Sequence, residues 1–336
     1  MRIGLLNLAH HHVISYIANL RALPGVELIG AADADQARCQ HVAQTYGMTA
    51  FPSYDALLAA RPDGVIVCAE NTRHRALVEM AAAAGVAVLC EKPLATTLED
   101  GRAMIDACRR AGVSLMTAFP MRFSAPLLEL KALLDRGGLG QVVACNGTNQ
   151  GQMPQQHASW FVDPALSGGG ALMDHIVHLA DVLRWLLQSE VVEVYAQTNR
   201  IMHAASVTVE TGGLVMLTFA NGVFASIDCS WSKPLNYPTW GGLALEMIGT
   251  RGVVSADAFR QNLDIYNQRR GDHTWRFWGA DADQALLAEF IHALRTQRAP
   301  AVSGEDGYRA LQITLAAYTS AQHGQPVRLP LPDRRS

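Results

Sequence analysis

The sequence lacks the features that would assign it to several large classes of protein. Its 336 residues carry a formal net charge of −3, and only 17% are charged, so there is no electrostatic basis for binding nucleic acid or an anionic membrane. No apolar run approaches the roughly 20 residues of a membrane span. The six cysteines form no Cys-x-x-Cys pair and no zinc-ligand spacing, and the N-terminus lacks a secretory layout. We therefore expect a cytoplasmic protein with reduced thiols.

The length and texture of the chain indicate two domains. Because 336 residues exceed what one hydrophobic core usually supports, we predict domains at 1–120 and 121–336. In the first domain, short apolar strands alternate with helical segments. This pattern predicts a doubly wound parallel sheet covered on both faces, with a ligand site beyond the carboxyl ends of its strands. The predicted strands are 3–8, 26–32, 64–68, 86–90 and 113–119, and the predicted helices are 12–22, 35–46, 73–84 and 98–111.

The second half of the chain is richer in strands and predicts an α+β domain with an open, mainly antiparallel sheet. Asn221-Gly222 supplies a hairpin turn between two of these strands. A sheet with helices on one side leaves an apolar face exposed, so we expect this half to self-associate. The predicted strands are 141–149, 191–199, 214–219, 223–231, 243–248 and 252–257, and the predicted helices are 125–136, 168–187, 282–296 and 305–322.

The first strand–helix turn lacks the glycines of a dinucleotide-binding loop. In place of Gly-x-Gly-x-x-Gly it has Asn7, Ala9 and His12. Asn tolerates a left-handed backbone and Ala is small, but His12 is bulky and ends a run of three histidines. We predict no metal site there, because consecutive side chains diverge and no matching Cys, Asp or Glu set is evident. A dinucleotide diphosphate would be bound by the backbone amides of Leu8–His11, with His10 or His12 as an added donor.

Asp33 closes the second predicted strand, 26 residues after Asn7. An acidic residue near this offset can bond the ribose hydroxyls of a bound dinucleotide. Its charge repels the 2′-phosphate of NADP, and no Arg or Lys lies adjacent to it in the sequence. An Asp at a strand end is also a common turn residue. We expect the cofactor to be NAD in preference to NADP.

A glycine-led helix carries a second group of polar residues. At about 100° per residue, Asp174, His178 and Asp181 fall within a narrow stripe on one face of the helix that ends at Leu187. An imidazole one turn from a carboxylate is a plausible acid–base pair. A polar stripe that faces water is the alternative interpretation of the same spacing.

Several segments together resemble the Gfo/Idh/MocA oxidoreductases, the family of glucose–fructose oxidoreductase and inositol dehydrogenase. Glu91-Lys92-Pro93 resembles the family's Glu-Lys-Pro motif, and Gly168–His178 resembles its Gly-Gly-Gly-x-Leu-x-Asp-x-x-x-His helix. Asn71–His74, Met121–Phe123 and Gly137–Val142 agree in order and spacing. The resemblance extends over essentially the whole chain.

The resemblance implies a set of functional residues. It assigns catalysis to Lys92, Asp174 and His178, and it implies an oxidoreductase that binds NAD or NADP and forms a homodimer or homotetramer. We expect the cofactor to contact residues at or just after the strands of the first predicted domain, and Arg122 in the motif that follows this domain. These residues are Asn7, Leu8, Ala9, His10, His12, Asp33, Asn71, Glu91, Lys92 and Arg122.

Oxidation of a secondary alcohol requires removal of its hydroxyl proton, which we assign to His178, with Lys92 stabilising the oxygen. The amide-rich segment 146–160 suits a polyhydroxylated ligand, although a solvent-exposed loop explains its composition equally well. We expect a sugar, inositol or related polyol as the substrate. The expected substrate contacts are Lys92, Gln150, His157, Trp160, Asp174 and His178.

Two other functions are compatible with the sequence. The degenerate glycine loop would suit a non-catalytic dinucleotide-binding regulator on the same fold, although such a protein has no need of Lys92, Asp174 and His178 together. An enzyme that retains NAD for transient oxidation during glycoside processing is the other alternative.

Overall fold

The computed structural model describes residues 1–156, 158–267, 272–277 and 279–331. The chain folds as two compact units, and each unit is assembled from three separate stretches. The first unit comprises Met1–Pro120, His157–Gly168 and Asp283–Leu311, and the second comprises Met121–Gln156, Gly169–Ala282 and Gln312–Ser336.

The first unit is built on a five-stranded sheet in which every pair of neighbours is parallel. Its strand order is β2-β1-β3-β4-β5. The central strands are apolar on both faces, and Val65, Ile66 and Val67 are fully buried, as expected where helices cover both sides. The strands are β1 (Arg2–Leu6), β2 (Glu27–Ala32), β3 (Gly64–Val67), β4 (Ala87–Cys90) and β5 (Leu115–Thr117).

Helices follow the strands of this sheet, and several begin at a capping side chain. Asp35, Ser53 and Thr97 each accept a hydrogen bond from a backbone N–H of the first helical turn, which satisfies a donor that has no partner inside the helix. The helices are α1 (Val13–Ala22), α2 (Gln36–Tyr46), α3 (Tyr54–Ala59), α4 (His74–Ala83), α5 (Leu98–Ala111), α7 (Pro164–Ser167), α9 (Ala282–Thr296) and the first part of α10 (Gly304–His323).

The second unit is built on a seven-stranded sheet of order β11-β10-β6-β9-β8-β7-β14. All of its neighbours are antiparallel except β6 and β9, which run parallel. A separate antiparallel pair joins β12 to β13. The strands are β6 (Val142–Gln152), β7 (Val191–Asn199), β8 (Gly212–Phe219), β9 (Phe224–Lys233), β10 (Gly241–Gly249), β11 (Gly252–Asp257), β12 (Asn262–Asn267), β13 (Asp272–Phe277) and β14 (Val327–Arg328).

Helix α8 (Ala171–Leu187) packs against one face of this sheet, and α6 (Ala125–Asp135) precedes β6. Side chains alternate along each strand, so the odd-numbered residues of β6 between Cys145 and Gly151, and those of β8, face α8, while the even-numbered ones among them lie on the opposite, open face. Leu214, Met216 and Phe224 on that open face are each about half exposed. Among the described residues, no helix is long and apolar enough to cross a membrane.

The predicted fold class is confirmed: a parallel Rossmann-type sheet is followed by an α+β unit with a mainly antiparallel sheet. Two details differ from the expectations. The strand β6 extends to Gln152, so residues 146–152 of the amide-rich segment 146–160 are strand and not loop. Helices α3 and α7, the β12–β13 pair and the short strand β14 carry no strong periodicity and were not predicted.

Candidate active site

The loop between β1 and α1 adopts a dinucleotide-type turn without the glycines. Asn7 has a φ of 67°, a left-handed conformation that Asn tolerates, and its N–H bonds to Ala32 O at 2.8 Å. The next three amides are already engaged. Leu8 N donates to Asp33 Oδ2 at 2.9 Å, Ala9 N to Asn7 Oδ1 at 2.8 Å, and His10 N to the Cys68 carbonyl at 2.9 Å.

These bonds alter the expectation for the diphosphate. Three of the four amides of Leu8–His11 that were expected to bind it are bonded within the protein. The cause is local, because the Asn7 side chain and the Asp33 carboxylate take up the donors that a glycine loop leaves for its ligand. Donors for an anionic ligand at this loop would therefore come from side chains and from the fourth amide, that of His11.

Asp33 is buried at the end of β2, and Arg38 on α2 binds it. Arg38 Nε lies 2.7 Å from Oδ2, and its Nη2 lies 2.8 Å from Oδ1. Together with the amides of Leu8 and Asp35, the carboxylate accepts four hydrogen bonds. No Arg or Lys is adjacent to Asp33 in the sequence, but Arg38, five residues later on α2, binds its carboxylate. The expectation that no cation lies next to Asp33 is therefore wrong.

Glu91, fully buried after β4, binds residues of the β1–α1 segment. Tyr16 donates to Glu91 Oε1 at 2.6 Å, and His12 Nδ1 lies 3.0 Å from the same oxygen. Burial alone would raise the pKa of Glu91, but the neighbouring His10 and His12 rings and the hydrogen bonds from His12 and Tyr16 hold it well below the usual range. Burial lowers the pKa of His10, whereas Glu91 overcomes burial and raises the pKa of His12.

The three histidines do not diverge as expected. One coordinating atom from each of His10, His11 and His12 lies within 4.8 Å of the others. The rings of His10 and His11 stack with centroids 4.8 Å apart, and the His12 ring meets both of them edge-on. Consecutive side chains converge here because they lie in the turn that leads into α1, and not on an extended strand.

Lys92 is buried and is followed by a cis bond to Pro93. Its N–H donates to Glu91 Oε2 at 3.1 Å. The turn beyond it is held by His74 at the start of α4. His74 Nδ1 lies 3.0 Å from the Pro93 carbonyl oxygen, and its Nε2 lies 3.2 Å from that of Ala69.

Asn71 begins the segment after β3 and bears on whether a dinucleotide fits. Its Nδ2 donates to the Ser167 carbonyl at 2.8 Å, while the buried Oδ1 has no hydrogen-bond partner among the residues that the structure describes. A buried acceptor without a partner costs about 1–3 kcal/mol, so it marks a place for a ligand donor. With the left-handed Asn7 and a buried acid at the end of β2, the residues at this edge fit a dinucleotide.

Trp160 lies in the first unit, against the β1–α1 loop. Its indole N–H donates to the Ala9 carbonyl at 3.1 Å, and its ring stacks on Phe161 with centroids 3.9 Å apart. His157, which was expected to contact the substrate, lies outside the described residues. Substrate contact by Trp160 stays a prediction, and its visible contact is with the loop.

In the second unit, two side chains cap the start of α8. Glu210 Oε1 accepts hydrogen bonds from Gly170 N at 2.9 Å and Leu172 N at 3.0 Å, and Tyr318 donates to the same atom at 2.7 Å. The glycines allow this close approach. A Cβ on Gly169 would lie 2.0 Å from the Tyr318 hydroxyl, and one on Gly170 would lie 2.1 Å from the Glu210 carbonyl oxygen.

Asp174, buried in the first turn of α8, is held by two aromatic residues. Trp231 Nε1 donates to Asp174 Oδ2 at 3.2 Å, and His175 Nε2 lies 3.2 Å from the same oxygen. The His175 ring stacks on Trp240, with centroids 5.9 Å apart and planes at 18°. His178, one turn after Asp174 on α8, is half-buried.

Arg122 and Gln150, the remaining predicted site residues of the second unit, bind other side chains of that unit. Arg122 makes a bidentate pair with the buried Asp181, Nε to Oδ2 at 2.7 Å and Nη2 to Oδ1 at 2.5 Å. Gln150 lies on the open face of the sheet, where its Nε2 donates to Asp228 Oδ2 at 2.5 Å. Cofactor binding by Arg122 and substrate binding by Gln150 stay predictions.

Comparison with known proteins identifies the family. Residues 3–119 match the family model described as an oxidoreductase family with an NAD-binding Rossmann fold, and residues 127–255 match that of the GFO/IDH/MocA C-terminal domain. The chain belongs to the GFO/IDH/MocA oxidoreductase family. The resemblance stated from the sequence is confirmed, as are the predictions of an oxidoreductase and of NAD as its cofactor.

Three similar proteins cover nearly the whole chain. The D-apiose dehydrogenase of Paraburkholderia graminis is 30% identical, over 92% of this chain and 84% of that protein. The myo-inositol 2-dehydrogenase of Thermotoga maritima is 28% identical, over 98% of each. The solved structure of an aldose–aldose oxidoreductase from Caulobacter crescentus is 26% identical, covers 98% of this chain and 99% of that one, and superposes with a TM-score of 0.82.

Sequence reasoning missed several residues of these sites. Arg38 could have been found from the sequence, because it lies in the first turn of a helix that starts just after Asp33 and can therefore reach the Asp33 side chain. Glu210 and Tyr318 carried none, since they lie 40 and 148 residues from Gly170. His175 was not considered, because it lies outside the stripe formed by Asp174, His178 and Asp181.

Proposed function

We propose that the protein is an NAD-dependent dehydrogenase that oxidises a secondary alcohol of a sugar, an inositol or a related polyol. The observation that carries the proposal is a buried Lys92 directly after the ionised Glu91, in a chain whose α8 holds Asp174 one turn before His178. The names of the D-apiose and myo-inositol dehydrogenases support this class of substrate.

The proposed catalytic residues are Lys92, Asp174 and His178. Bound NAD would supply the hydride acceptor. The Lys92 ammonium would donate a hydrogen bond to the substrate hydroxyl oxygen and stabilise its negative character. The imidazole of His178 would take the hydroxyl proton and release it to solvent. Asp174, held by Trp231 and His175, would accept a hydrogen bond from the substrate.

The proposed cofactor contacts follow from the same edge of the first unit. Asn71 Oδ1 would accept a hydrogen bond from the dinucleotide, and Asp33 would face the adenosine ribose together with Arg38. Because the amides of Leu8, Ala9 and His10 are engaged, the half-buried His12 would be the donor nearest the diphosphate. Glu91 would lie beside the nicotinamide ribose.

A screen of sugars, inositols and sugar acids with NAD and with NADP tests the proposal. We expect NADH formation, followed by its ultraviolet absorbance, with at least one polyol. The family match does not favour a regulator, and a protein that binds NAD but reduces it with no substrate in the screen would contradict the proposal. Cofactor that survives purification, without net release of NADH, would indicate the glycoside-processing alternative.

We further propose a cytoplasmic homodimer or homotetramer whose partner is a small molecule, and neither nucleic acid nor a membrane. All six cysteines are buried free thiols, which suits a reducing compartment. The half-exposed Leu214, Met216 and Phe224 on the open sheet face support self-association through that surface.

A further inference from the structure

The first turn of α8 is capped by two residues from distant segments of the chain. The four N–H groups at the start of an α-helix have no partner inside it, and a local Ser, Thr, Asp or Asn usually accepts from one of them. Helices α2, α3 and α5 follow this rule, but α8 begins after Gly168-Gly169-Gly170, which has no capping side chain. Glu210 and Tyr318, 40 and 148 residues from Gly170, take the place of the local cap.

Glu210 and Tyr318 together accept hydrogen bonds from all four of these N–H groups. Glu210 Oε1 accepts from the first and the third at 2.9 and 3.0 Å, and the Glu210 carbonyl oxygen accepts from the second at 3.0 Å. The Tyr318 hydroxyl accepts from the first and the fourth, at 3.2 Å each. In chain order, these N–H groups belong to Gly170, Ala171, Leu172 and Met173. Asp174 N comes next and makes the first bond within the helix, to the Gly170 carbonyl at 3.0 Å. One residue, Gly170, therefore links the cap to Asp174.

The Tyr318 hydroxyl has a single orientation in this arrangement. Its oxygen accepts from Gly170 and Met173, so its proton points toward Glu210 Oε1, 2.7 Å away. Burial and the neighbouring Glu210 carboxylate raise the pKa of Tyr318 well above its usual value, so the hydroxyl keeps this proton. Removal of this one oxygen takes the acceptor from Met173 N and leaves Glu210 alone to hold Gly170.

We propose that Glu210 and Tyr318 are positioning residues of the active site, which fix the first turn of α8 and thereby place the Asp174 carboxylate. The proposal rests on the proposed function, in which Asp174 binds the substrate. A local cap would stabilise the helix wherever it lay, whereas this cap joins the start of the helix to the segment before β8 and to α10. The position of the turn matters because the Asp174 carboxylate also accepts a hydrogen bond from Trp231 on β9, with Nε1 3.2 Å from Oδ2.

Tyr318→Phe in the full-length protein tests the proposal, with Ser320→Ala as the matched control on the same helix. Ser320 Oγ accepts from Ala196 N at 2.9 Å and donates to the Gln325 carbonyl at 2.7 Å, and neither partner belongs to α8. Both variants lose hydrogen bonds, so both should lower the melting temperature by a few degrees.

Only Tyr318→Phe should also lower kcat/KM for the polyol, by about 10-fold or more, because a misplacement of about 1 Å can cost about 10²-fold. The change should lie in KM for the polyol more than in kcat, since Asp174 binds the substrate and does not take its proton. The NAD dissociation constant should stay as in the parent protein, because the proposed cofactor contacts of the first unit are unaltered.

Two substitutions of Glu210 provide a conservative comparison. Glu210→Gln keeps an Oε1 that can accept from Gly170 and Leu172, whereas Glu210→Ala removes it. We expect Glu210→Gln to retain most of the kcat/KM that Glu210→Ala loses, and equal losses would contradict positioning by these hydrogen bonds. This comparison decides the question if Tyr318→Phe does not fold, as judged by thermal unfolding.

Hydrogen exchange measures the cap without any substrate. In Tyr318→Phe, the amides of residues 170–173 should exchange about 10-fold faster than in the parent protein, while those of residues 180–187 keep their protection. A parent protein that oxidises no polyol would overturn the proposed function, and the positioning role with it. An active parent whose Tyr318→Phe variant matches Ser320→Ala in kcat/KM would overturn the positioning role alone. In that case, faster exchange would show that the cap serves only the stability of the helix.

Discussion

Arg38 and Asp33 form a bidentate ion pair, with Arg38 Nε 2.7 Å from Asp33 Oδ2 and its Nη2 2.8 Å from Oδ1. The pair occupies oxygens that a dinucleotide-binding acid offers to ribose hydroxyls, and it places a guanidinium where a 2′-phosphate would lie. We therefore expect the half-buried Arg38 to weaken the discrimination against NADP that Asp33 alone would exert at the proposed ribose site.

Cofactor preference should respond in opposite directions to changes at these two residues. Arg38→Ala should raise the ratio of kcat/KM for NAD to that for NADP by about 10-fold, because one charge-assisted hydrogen bond contributes about 1.5–3 kcal/mol. Asp33→Ser should lower the ratio. Arg110→Ala, at an exposed residue of α5, is the charge-matched control. Equal ratios in Arg38→Ala and the control would contradict the assignment of the ribose site.

The proposed acid–base chemistry predicts how two variants combine. His178→Ala should lower turnover by about 10² to 10⁴ while the NAD dissociation constant changes little, the usual scale for loss of a positioned acid–base group. Lys92→Ala should resemble it, and the double variant should be scarcely slower than either single one if both act on one oxygen. Steady-state kinetics and NAD titration by fluorescence measure these effects. A fully active His178→Ala would refute the mechanism.

The contact between His175 and Asp174 can be tested through Gly151. A Cβ there would lie 2.9 Å from His175 Cε1 and 3.1 Å from its Nε2, so Gly151→Ala must move the ring that adjoins Asp174. Gly147→Ala is the matched control on β6, because the atoms nearest its Cβ would be those of the Leu179 side chain, the first at 2.9 Å.

Both glycine variants should lose about 1–3 kcal/mol of stability through overpacking. Only Gly151→Ala should also lose about 10-fold in kcat/KM, and His175→Gln should retain more activity than His175→Ala. Thermal unfolding and substrate titration separate the two effects. Equal kinetics in the two glycine variants would assign His175 a purely structural role.

The elements of the first unit could be predicted from the sequence because their physics is local. The apolar run at 64–68 indicates a strand, and the Asp and Thr residues that precede α2 and α5 indicate helix starts, in each case within a few residues. Contacts between distant segments could not be predicted in this way. Trp160 binds the Ala9 carbonyl across 151 residues, and nothing in either local sequence indicates that pairing.

Helix α8 shows the same division. The spacing of Asp174 and His178 on one face follows from helical geometry alone. The partners of these side chains could not be predicted in this way, because the Asp174 carboxylate accepts a hydrogen bond from Trp231 on β9, 57 residues away. The helical spacing of the polar residues was predicted correctly. The ion pair that Asp181 forms with Arg122 was not, because it depends on packing within the second unit.

Acid should destabilise the fold through His74. Burial lowers the pKa of this group from its ordinary 6.5, although carbonyl oxygens lie near both ring nitrogens. Above pH 6.5, the ring is neutral in both the folded and the unfolded chain. Below it, the unfolded chain binds a proton that the folded chain does not, so stability falls as the pH drops toward the lowered pKa.

The slope from one such proton is at most about 1.4 kcal/mol per pH unit. Urea unfolding at pH 7.5 and 5.5 should show a smaller loss of stability for His74→Asn, whose amide can still donate to the Pro93 carbonyl. The other buried histidines contribute to both proteins and cancel in the difference. Parallel slopes for the parent and the variant would exclude His74 as the source.

Self-association should depend on the open face of the seven-stranded sheet. Met216 is 50% exposed there, and Met216→Lys should shift light scattering at micromolar concentration toward the monomer, because the charge would have to be buried at an apolar contact. Leu128→Lys, at a 46% exposed residue of α6, is the control and should leave the mass unchanged. A monomeric parent protein would rule out the proposed oligomer.

The cap on α8 also sets an order of events during synthesis. Tyr318, which bonds the N–H of Gly170, leaves the ribosome 148 residues after it. At about 5–20 residues per second, this is a delay of roughly 7–30 s. The helix that carries Asp174 and His178 thus emerges long before its cap. A nascent chain interrupted before residue 318 would contain both side chains but not the hydroxyl that completes the first turn beneath them.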